Sequence, residues 1–480
     1  SAMPDLILSS RVSRRSFLRT TSLAVAGASF LDPVARALAQ EKSGTLQPYV
    51  HRACNGWITD LATEPDPRAA WPSMRLDARL LMDYRETFDL MRRLGMNEIV
   101  IWGLYVSNNW PADIVSAVPI PDRRGLLVEQ LITLAHERGI KVLSGLGVYS
   151  WGFAKIIRAY PKLMGTNINA MCASQPESHA LMQRVVDFVF ARFPIDGVSM
   201  QSADQGRCSC TQCRRLSDAE YHADLNIRTA EYIRSKYPGK IVGMSNWGLP
   251  FKREKDKEAL VRMSRALDYM IDHDNSAQSA RSGYRRELIG GLACAFGTTG
   301  GPVVEPPQHW ERNRWFLPTG RRVHQHLQKL AEDGGRACEF YFHILANPSS
   351  ELTWHIAART LANPALPLDK IMAETIEELY QPKDSAARDA LAQWMLDMED
   401  AYFRHLSGEI CGTISLEPLV GNKPGPAVYI RDRLRLEARN TYAADFRRLA
   451  EAFEKIRPSL AAQDRANRVA ACLSFVRLFA

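Results

Sequence analysis

Residues 88–102 read FDLMRRLGMNEIVIW, in which an apolar helical stripe ends at a glycine and a β-branched run follows. The stripe recurs every three or four residues, as on one helix face, through Leu80, Leu81, Tyr84, Phe88, Met91 and Leu94. Gly95 suits the left-handed residue that ends many helices. Glu98–Leu104 is short and almost wholly apolar, which predicts a strand buried on both faces. The stretch therefore predicts a helix that leads the chain into a parallel strand.

The same order of helix, glycine and apolar strand recurs along the chain. Helical stripes end at Gly139 and before Pro194, and a Gly-Gly pair at 334–335 precedes another apolar run. This recurrence indicates βαβ units. The predicted strands are Tyr49–Cys54, Glu98–Leu104, Lys141–Tyr149, Gly197–Ser202, Lys240–Ser245, Tyr269–Asp272, Leu288–Ala295 and Arg336–His343. Eight parallel strands separated by helices predict an α/β fold of the (β/α)8 TIM-barrel type.

A doubly wound open sheet is the competing topology. It would be expected to carry a Gly-rich phosphate turn after its first strand, and Cys54-Asn55-Gly56-Trp57 is not such a turn. The barrel is therefore favoured. After Pro348 only helical patterns follow, so we expect a barrel domain at residues 46–348 and an α-helical C-terminal domain at residues 349–480.

The N-terminal residues have the features of an export signal. Residues 13–19 read SRRSFLR, a twin-arginine pattern, and a moderately apolar run follows to residue 31. Ala37-Leu38-Ala39 then places small residues where a signal peptidase cuts. Residues 1–39 are therefore predicted to be a twin-arginine signal peptide. The mature protein is expected to be periplasmic or secreted, and to be exported already folded.

Composition excludes several classes of protein. The chain has 480 residues, of which 46% are hydrophobic, so it can form a core and is not intrinsically disordered. Its formal net charge of +8 falls to +5 without residues 1–39, and its Arg and Lys form no single stripe. We therefore expect no nucleic-acid partner, and no membrane association once the signal is removed.

Polar and aromatic residues follow the predicted strands. In a barrel these positions meet at the C-terminal ends of the strands, here called the rim, where active sites form. Aromatic faces can stack on sugar rings while amides and imidazoles bind hydroxyls, so a carbohydrate ligand is expected. The predicted substrate-binding residues are Asn55, Trp57, Trp102, Tyr149, Trp151, Gln201, Gln205, Asn246, Trp247, His273, Arg314, Trp315, Tyr341 and His343.

Glycoside hydrolysis requires two carboxylates, one of them protonated as the general acid. The catalytic candidates are Asp204, Asp272, Asp274 and Glu339. Asp204 is the best placed, because it follows an apolar strand and precedes Gly206; a helix N-cap or a loop ion pair is its alternative role. Glu339 lies within the eighth predicted strand, where a buried structural role is the alternative.

Cys208, Cys210 and Cys213 form a C-x-C-x2-C run after the fourth predicted strand. Three such thiolates can hold one Zn²⁺ with a fourth ligand, for which Cys172, His179 and His222 are candidates. A disulfide, or three reduced thiols in a tight loop, are the alternatives. A metal here would be structural rather than catalytic, because three thiolates are typical of closed sites. No cofactor is expected for the chemistry itself.

Several segments resemble a group of bacterial glycoside-hydrolase-like barrels related to α-glucuronidases and, more distantly, to β-N-acetylhexosaminidases. They are PIDGV at 194–198, SADQGRCSCTQC at 202–213, ERNRWFLP at 311–318, ARTLANP at 358–364 and ELY at 378–380. The resemblance spans about residues 46–400. It implies a sugar hydrolase with an acid at the end of the fourth strand. Hexosaminidases carry Asp-Glu there, whereas this chain has Asp204-Gln205, and Gln cannot donate a proton as an acid.

Three functions therefore compete. The first is an exported glycoside hydrolase, the second a non-catalytic carbohydrate-binding barrel, and the third a metal-dependent lyase or hydrolase that uses the cysteines. Arginine side chains near the rim could also bind the carboxylate of an acidic sugar. These are Arg207, Arg312, Arg314, Arg321 and Arg322, of which the last two are expected on a helix.

Overall fold

The computed structural model describes residues 46–57, 77–102, 104, 122–203, 205–245, 249, 254–272, 288–290, 320–332, 335, 337–340, 351–405, 436–460 and 468–480. Residues 46–480 form one compact unit. Within the described part, no helix combines the length and the apolar character needed to cross a membrane.

Eight parallel strands form one sheet, which confirms the predicted barrel. They are β1 His51–Trp57, β2 Glu98–Trp102, β3 Lys141–Gly147, β4 Gly197–Gln201, β5 Ile241–Ser245, β6 Tyr269–Asp272, β7 Leu288–Gly290 and β8 Ala337–Phe340. Strands β1 to β7 pair in the order of the sequence, and β1 lies between β2 and β8. Cα atoms of β7 and β8 also approach within 8 Å, so the sheet curves round on itself.

Helices connect most of the strands. They are α1 Ala78–Leu94, α2 Asp122–His136, α3 Ala154–Ala159, α4 Pro176–Arg192, α5 Asp218–Lys236, α6 Lys257–Arg265 and α7 Gly320–Glu332. The predicted cap of α1 is present, because Gly95 has a φ of 83° and its N–H donates to the helix end. Helix α5 begins with a capping box, in which Ser217 and Glu220 each accept a backbone N–H from the other.

The first strand differs from the sequence expectation. It runs from His51 to Trp57 rather than from Tyr49 to Cys54. Asn55 therefore pairs with Val100, and Trp57 pairs with Trp102, so both residues lie within β1 instead of after it. The reason is tertiary: pairing with β2 on one side and β8 on the other fixes the register, which local composition does not encode.

Contacts across the sheet show that its interior is filled. Ser199 on β4 donates to the Glu339 carboxylate on β8 at 3.0 Å, although the two strands lie on opposite sides of the ring. The ring of His51 on β1 lies 4.8 Å from the ring of Tyr269 on β6. Glycines make room for the large side chains: a Cβ at Gly145 would lie 2.2 Å from the Trp102 ring. The barrel is thus a packed core rather than a pore.

Within the described residues, five helices follow the barrel, and the sequence predicts helices in this region. They are α8 Glu351–Ala362, α9 Leu368–Tyr380, α10 Ser385–His405, α11 Leu436–Ile456 and α12 Arg468–Phe479. They enclose a second apolar core that includes Met398, Phe446 and Phe453. The boundary at residue 348 lies outside the described residues, so the proposed domain division stays a prediction.

The helical region is attached to the barrel by backbone and carboxylate contacts. The N–H of Tyr49, just before β1, donates to the carbonyl of Leu361 at 3.0 Å. On α10, Glu399 is buried and accepts the backbone N–H groups of Arg321 and Arg322 at 2.9 Å each. It thereby caps the N-terminus of α7, and burial raises the pKa of the Glu399 carboxyl to about 7.

We expect Gly145→Ala to destabilise the protein by about 1–3 kcal/mol, because its Cβ would overlap the Trp102 ring in a close-packed interior. In a Trp102→Leu background the same change should cost much less, since the ring is gone. Urea unfolding of the four variants measures both costs. Equal costs in the two backgrounds would show that the ring does not lie over Gly145.

The buried His355 on α8 predicts a pH dependence of stability. Burial lowers its pKa to about 3, and no described group hydrogen-bonds its Nε2. The unfolded chain binds the proton more readily, so stability falls as pH drops below about 6.5, by up to about 1.4 kcal/mol per unit. His355→Gln should reduce the loss between pH 7 and pH 5, measured by urea unfolding. Identical slopes for the two proteins would contradict the buried neutral imidazole.

Candidate functional site

The turn after β3, residues 148–152 and here called the rim turn, has an unusual backbone. Tyr149 and Trp151 have φ angles of 63° and 38°, and Gly152 has a φ of 89°. Non-glycine residues rarely occupy this left-handed region, and where they do they cluster at functional sites. Within the described part of the rim, the strained backbone lies in the rim turn, which is therefore a candidate for the functional site.

Tyr149 is buried, and its hydroxyl lies in hydrogen-bond contact with Nδ1 of His179 on α4. Burial raises the pKa of the Tyr149 phenol and lowers the pKa of the His179 imidazole. Both shifts favour a neutral pair in which the hydroxyl donates to the ring. His179, a candidate metal ligand in the sequence, is thus a partner of Tyr149.

Two predicted sugar-stacking residues lie together. Trp102 ends β2 and Trp151 lies in the rim turn, with ring centroids 5.0 Å apart in an edge-to-face arrangement. Trp102 is only 3% exposed, so its ring is core and supports its neighbour. Trp151 is partly exposed, which leaves it as the described tryptophan best placed to contact a ligand.

The end of β4 is held against the rim turn. The N–H of Val148 donates to the carbonyl of Gln201 at 2.8 Å, and the Ser150 hydroxyl donates to the carbonyl of Ser202 at 3.0 Å. Asn226 on α5 in turn donates to the Ser202 hydroxyl at 2.9 Å. The side chain of Gln201 is almost fully buried. These bonds fix the segment that leads directly to Asp204.

Asp204 itself lies outside the described residues, between Ala203 and Gln205. The carbonyl of Gln205 accepts a hydrogen bond from Asn167 at 2.9 Å. Its side-chain Oε1 is buried, and within the described chain nothing hydrogen-bonds it. Both neighbours of the predicted acid are therefore placed at the rim beside the end of β4.

Glu339 lies in the middle of β8, in the barrel interior. It is 1% exposed, and one of its carboxylate oxygens accepts from Ser199. It stands apart from the rim, and a buried, hydrogen-bonded position of this kind suits the structural role given above as its alternative.

For the other predicted site residues, the structure describes either the backbone position alone or nothing. Asp272 ends β6 and pairs with Gly290 on β7, so its Cα lies at the rim. For Asn55, Trp57 and Asp272 only the strand position is described. The residues outside the described part are Asn246, Trp247, His273, Asp274, Arg314, Trp315, Tyr341 and His343.

Four cysteines, here called the cysteine group, meet beside the rim: Cys172, Cys208, Cys210 and Cys213. Their sulfur atoms all lie within 4.8 Å of one another, and none is in a disulfide. The fourth member is Cys172, one of the three candidates in the sequence. Backbone N–H donation at Cys213 lowers the pKa of the Cys210 thiol to about 6. His222 stays outside the group, and burial lowers its pKa to about 4.

The segment that carries Cys172 could not be recognised from sequence. Residues 163–172 fold back onto the rim turn, where the N–H of Met171 donates to the carbonyl of Tyr149 at 2.7 Å. Thr166 and Asn167 of this segment bond Ser209 and Gln205 respectively. Polar loop residues of ordinary composition carry no signal for such long-range partners.

Arg207 is not available to bind an acidic sugar, in contrast to the sequence hypothesis. Its guanidinium donates to the carbonyls of Cys213, Leu216 and Ser217 at 2.8–3.0 Å. It also stacks on Tyr221 at 4.6 Å. Its Nη1 atom also lies 3.2 Å from the Asp218 carboxylate, so these contacts hold the loop after β4 together and join it to α5.

Two further arginines of that hypothesis face the helical region. Arg321 and Arg322 lie on α7, as expected, where they pair with Asp400 at 2.8 Å and Glu399 at 3.8 Å. These pairs leave only Arg312 and Arg314, which fall outside the described residues, as candidates for binding a sugar carboxylate.

No protein-family model matches the sequence. No curated protein matches it either. Solved structures do match, and one is a GH138 enzyme targeting pectin rhamnogalacturonan II, with 10% identity and a TM-score of 0.59. The match covers 91% of this chain and 57% of the GH138 enzyme, so this chain corresponds to little more than half of that protein. At this identity, the likeness shows a shared fold.

Two other solved structures are similar at lower TM-scores. A mutant O-GlcNAc hydrolase of Thermobaculum terrenum has 10% identity and a TM-score of 0.49, with 90% of this chain and 81% of that chain covered. A β-N-acetylhexosaminidase has 12% identity and a TM-score of 0.45, with 69% and 77% covered. The three solved structures are thus all glycoside hydrolases by name.

Arg207→Lys should destabilise the protein by about 2 kcal/mol, because an ammonium cannot reach three carbonyls in the planar fork that they require. Arg214→Lys is the matched control in the same loop, since Arg214 is exposed and donates to the single carbonyl of Ser209. That change should stay within about 0.5 kcal/mol. Denaturant unfolding compares the two, and equal losses would refute the structural role of Arg207.

Proposed function

We propose that the protein is an exported glycoside hydrolase that cleaves a sugar or oligosaccharide at the rim of its barrel. The observation that carries the proposal is the strained rim turn, hydrogen-bonded to the end of β4 immediately before Asp204. Backbone strain clusters at active sites, and barrel enzymes carry their catalytic residues at the C-terminal ends of the strands. The fold shared with the GH138 enzyme, a named glycoside hydrolase, supports the proposal.

In this mechanism Asp204 is the general acid that protonates the leaving-group oxygen. The second carboxylate comes from the end of β6, where Asp272 closes the strand and Asp274 follows. Strands β4 and β6 are separated by β5 alone, so their ends face the same part of the rim. A carboxyl separation of about 5 Å would make the second group a nucleophile, and about 6.5–9.5 Å would make it a base for water.

Trp151 provides the stacking surface for the sugar in this proposal. It is partly exposed, and its ring packs edge-to-face against the buried ring of Trp102. Such a supported ring offers contact area without losing side-chain freedom on binding. In this proposal Glu339 and Tyr149 support the site and do not contact the sugar, since both are buried and hydrogen-bonded to other residues of the protein.

The proposal includes export through the twin-arginine pattern at residues 13–19, with work outside the cytoplasmic membrane. The proposal also includes an acidic sugar as substrate. Arg312 and Arg314 would bind its carboxylate, because Arg207, Arg321 and Arg322 are paired with other residues of the protein. If neutral and uronic glycosides are cleaved equally well, the preference for an acidic sugar is refuted while the hydrolase proposal stands.

Asp204→Asn should abolish turnover while sugar binding persists, because the amide keeps the shape but cannot donate the proton. Losing one catalytic carboxyl should lower kcat by about 100-fold or more. Release of products from a panel of pectic and chitin oligosaccharides, whose leaving groups require protonation, gives the rate, and calorimetric titration gives the affinity. Asp224→Asn, at a surface carboxylate paired with Arg262, is the control and should keep full activity.

Two results would contradict the proposal. Unchanged turnover in Asp204→Asn would remove Asp204 from the chemistry. Oligosaccharide binding by the wild-type protein without any released sugar after long incubation would favour the carbohydrate-binding alternative, which Gln205 motivates.

A further inference from the structure

The structure assigns the cysteine group as a Zn²⁺ site that ties the loop after β3 to the loop after β4. The sulfur of Cys172 lies 3.4, 3.8 and 3.9 Å from those of Cys208, Cys210 and Cys213. Zinc binds thiolates at about 2.3 Å in a tetrahedron, which requires sulfur atoms about 3.8 Å apart. A disulfide would bring two of them to about 2.05 Å. The spacing of the four sulfurs therefore fits a shared ion.

The surroundings of the sulfur atoms fit metal-bound thiolates. The N–H of Cys210 donates to the Cys208 sulfur at 3.4 Å, and the Thr166 hydroxyl lies 3.8 Å from the same atom. The Ser174 hydroxyl lies 3.0 Å from the Cys172 sulfur. Donors directed at ligand atoms fix their orientation and tune their affinity for the metal.

The backbone also makes room for this arrangement. A Cβ on Gly165 would lie 2.1 Å from the Cys208 sulfur and 3.2 Å from the Cys172 Cβ, so only glycine fits there. Cys172, Cys208 and Cys213 are each at most 3% exposed, and Cys210 is partly exposed. Burial of this degree shields the site from solvent while one edge remains open to the incoming metal.

Four thiolates fill the coordination sphere of zinc, so the ion would be structural and would take no substrate. Its effect would be to hold two loops together. Cys172 belongs to the segment that bonds Tyr149 of the rim turn, and the other three follow Gln205. The ion would thus join the loop after β3 to the loop after β4, whose sequence includes Asp204, in addition to the bonds from Thr166 and Asn167. A metal bound during folding also suits export of a folded protein.

The test measures metal content and thiol reactivity, neither of which depends on catalysis. The full-length protein, purified without added metal, should contain one zinc per chain by elemental analysis. Chelation should release that zinc and make four additional thiols reactive towards a disulfide reagent. Cobalt(II) added afterwards should give the absorption of tetrahedral thiolate coordination.

Variants assign the zinc to these residues. Cys172→Ala should lose the ion, whereas Cys472→Ala should keep it, because Cys472 is equally buried but lies in the helical region. Thr166→Val should weaken zinc binding by about 10–100-fold.

Protein with no zinc, or with iron in its place, would overturn the assignment. So would Cys172→Ala protein that keeps its zinc. Should Cys172→Ala fail to fold, the wild-type metal and thiol counts decide by themselves. Failure of the hydrolase proposal would appear only in product release, and so is distinguishable from failure here.

Discussion

Closure of the eight-stranded sheet is the constraint on which the rest of the structure depends. Parallel strands have to be covered by helices on the outside, and once the sheet closes the inside must be filled. The bond between Ser199 and Glu339 spans the ring from β4 to β8. Trp102 over Gly145 and Tyr269 over Gly243 fill further space. The same closure brings every strand end to one rim, so it also creates the site.

The fold could be predicted because its signals are local. A helix that ends at Gly95 and leads into a buried strand needs only periodicity and a positive φ to be recognised. The register of β1 could not be predicted, because it depends on pairing with β2 and β8. The partners of β1 lie about 45 and 285 residues away in the sequence, so the seven residues of the strand do not by themselves reveal its register.

The sequence indicates which candidate residues lie near strand ends, but it does not show what each side chain contacts. Arg207 resembles any loop arginine in sequence, and only the fold shows that three carbonyls of its own loop occupy it. Trp102 ends β2 and Tyr149 follows β3, positions typical of ligand-binding residues in a barrel, yet both rings are buried. The spacing of the cysteine run identified three members of the cysteine group. For the fourth member the sequence left Cys172, His179 and His222 as candidates, and the fold selects Cys172, which a helix and a strand separate from the run.

These contacts share one effect, which is to support the backbone at the rim. The contacts of Tyr149 with His179, of Ser150 with Ser202, and within the cysteine group connect the segments that follow β3 and β4 to each other or to α4. We propose that this support serves a sugar-cleaving site at Asp204. A crystal structure with a bound oligosaccharide tests it most directly. We predict the sugar ring against Trp151 with the scissile oxygen beside the Asp204 carboxyl. An oligosaccharide bound away from this rim, with Asp204 in a protein ion pair, would contradict the claim.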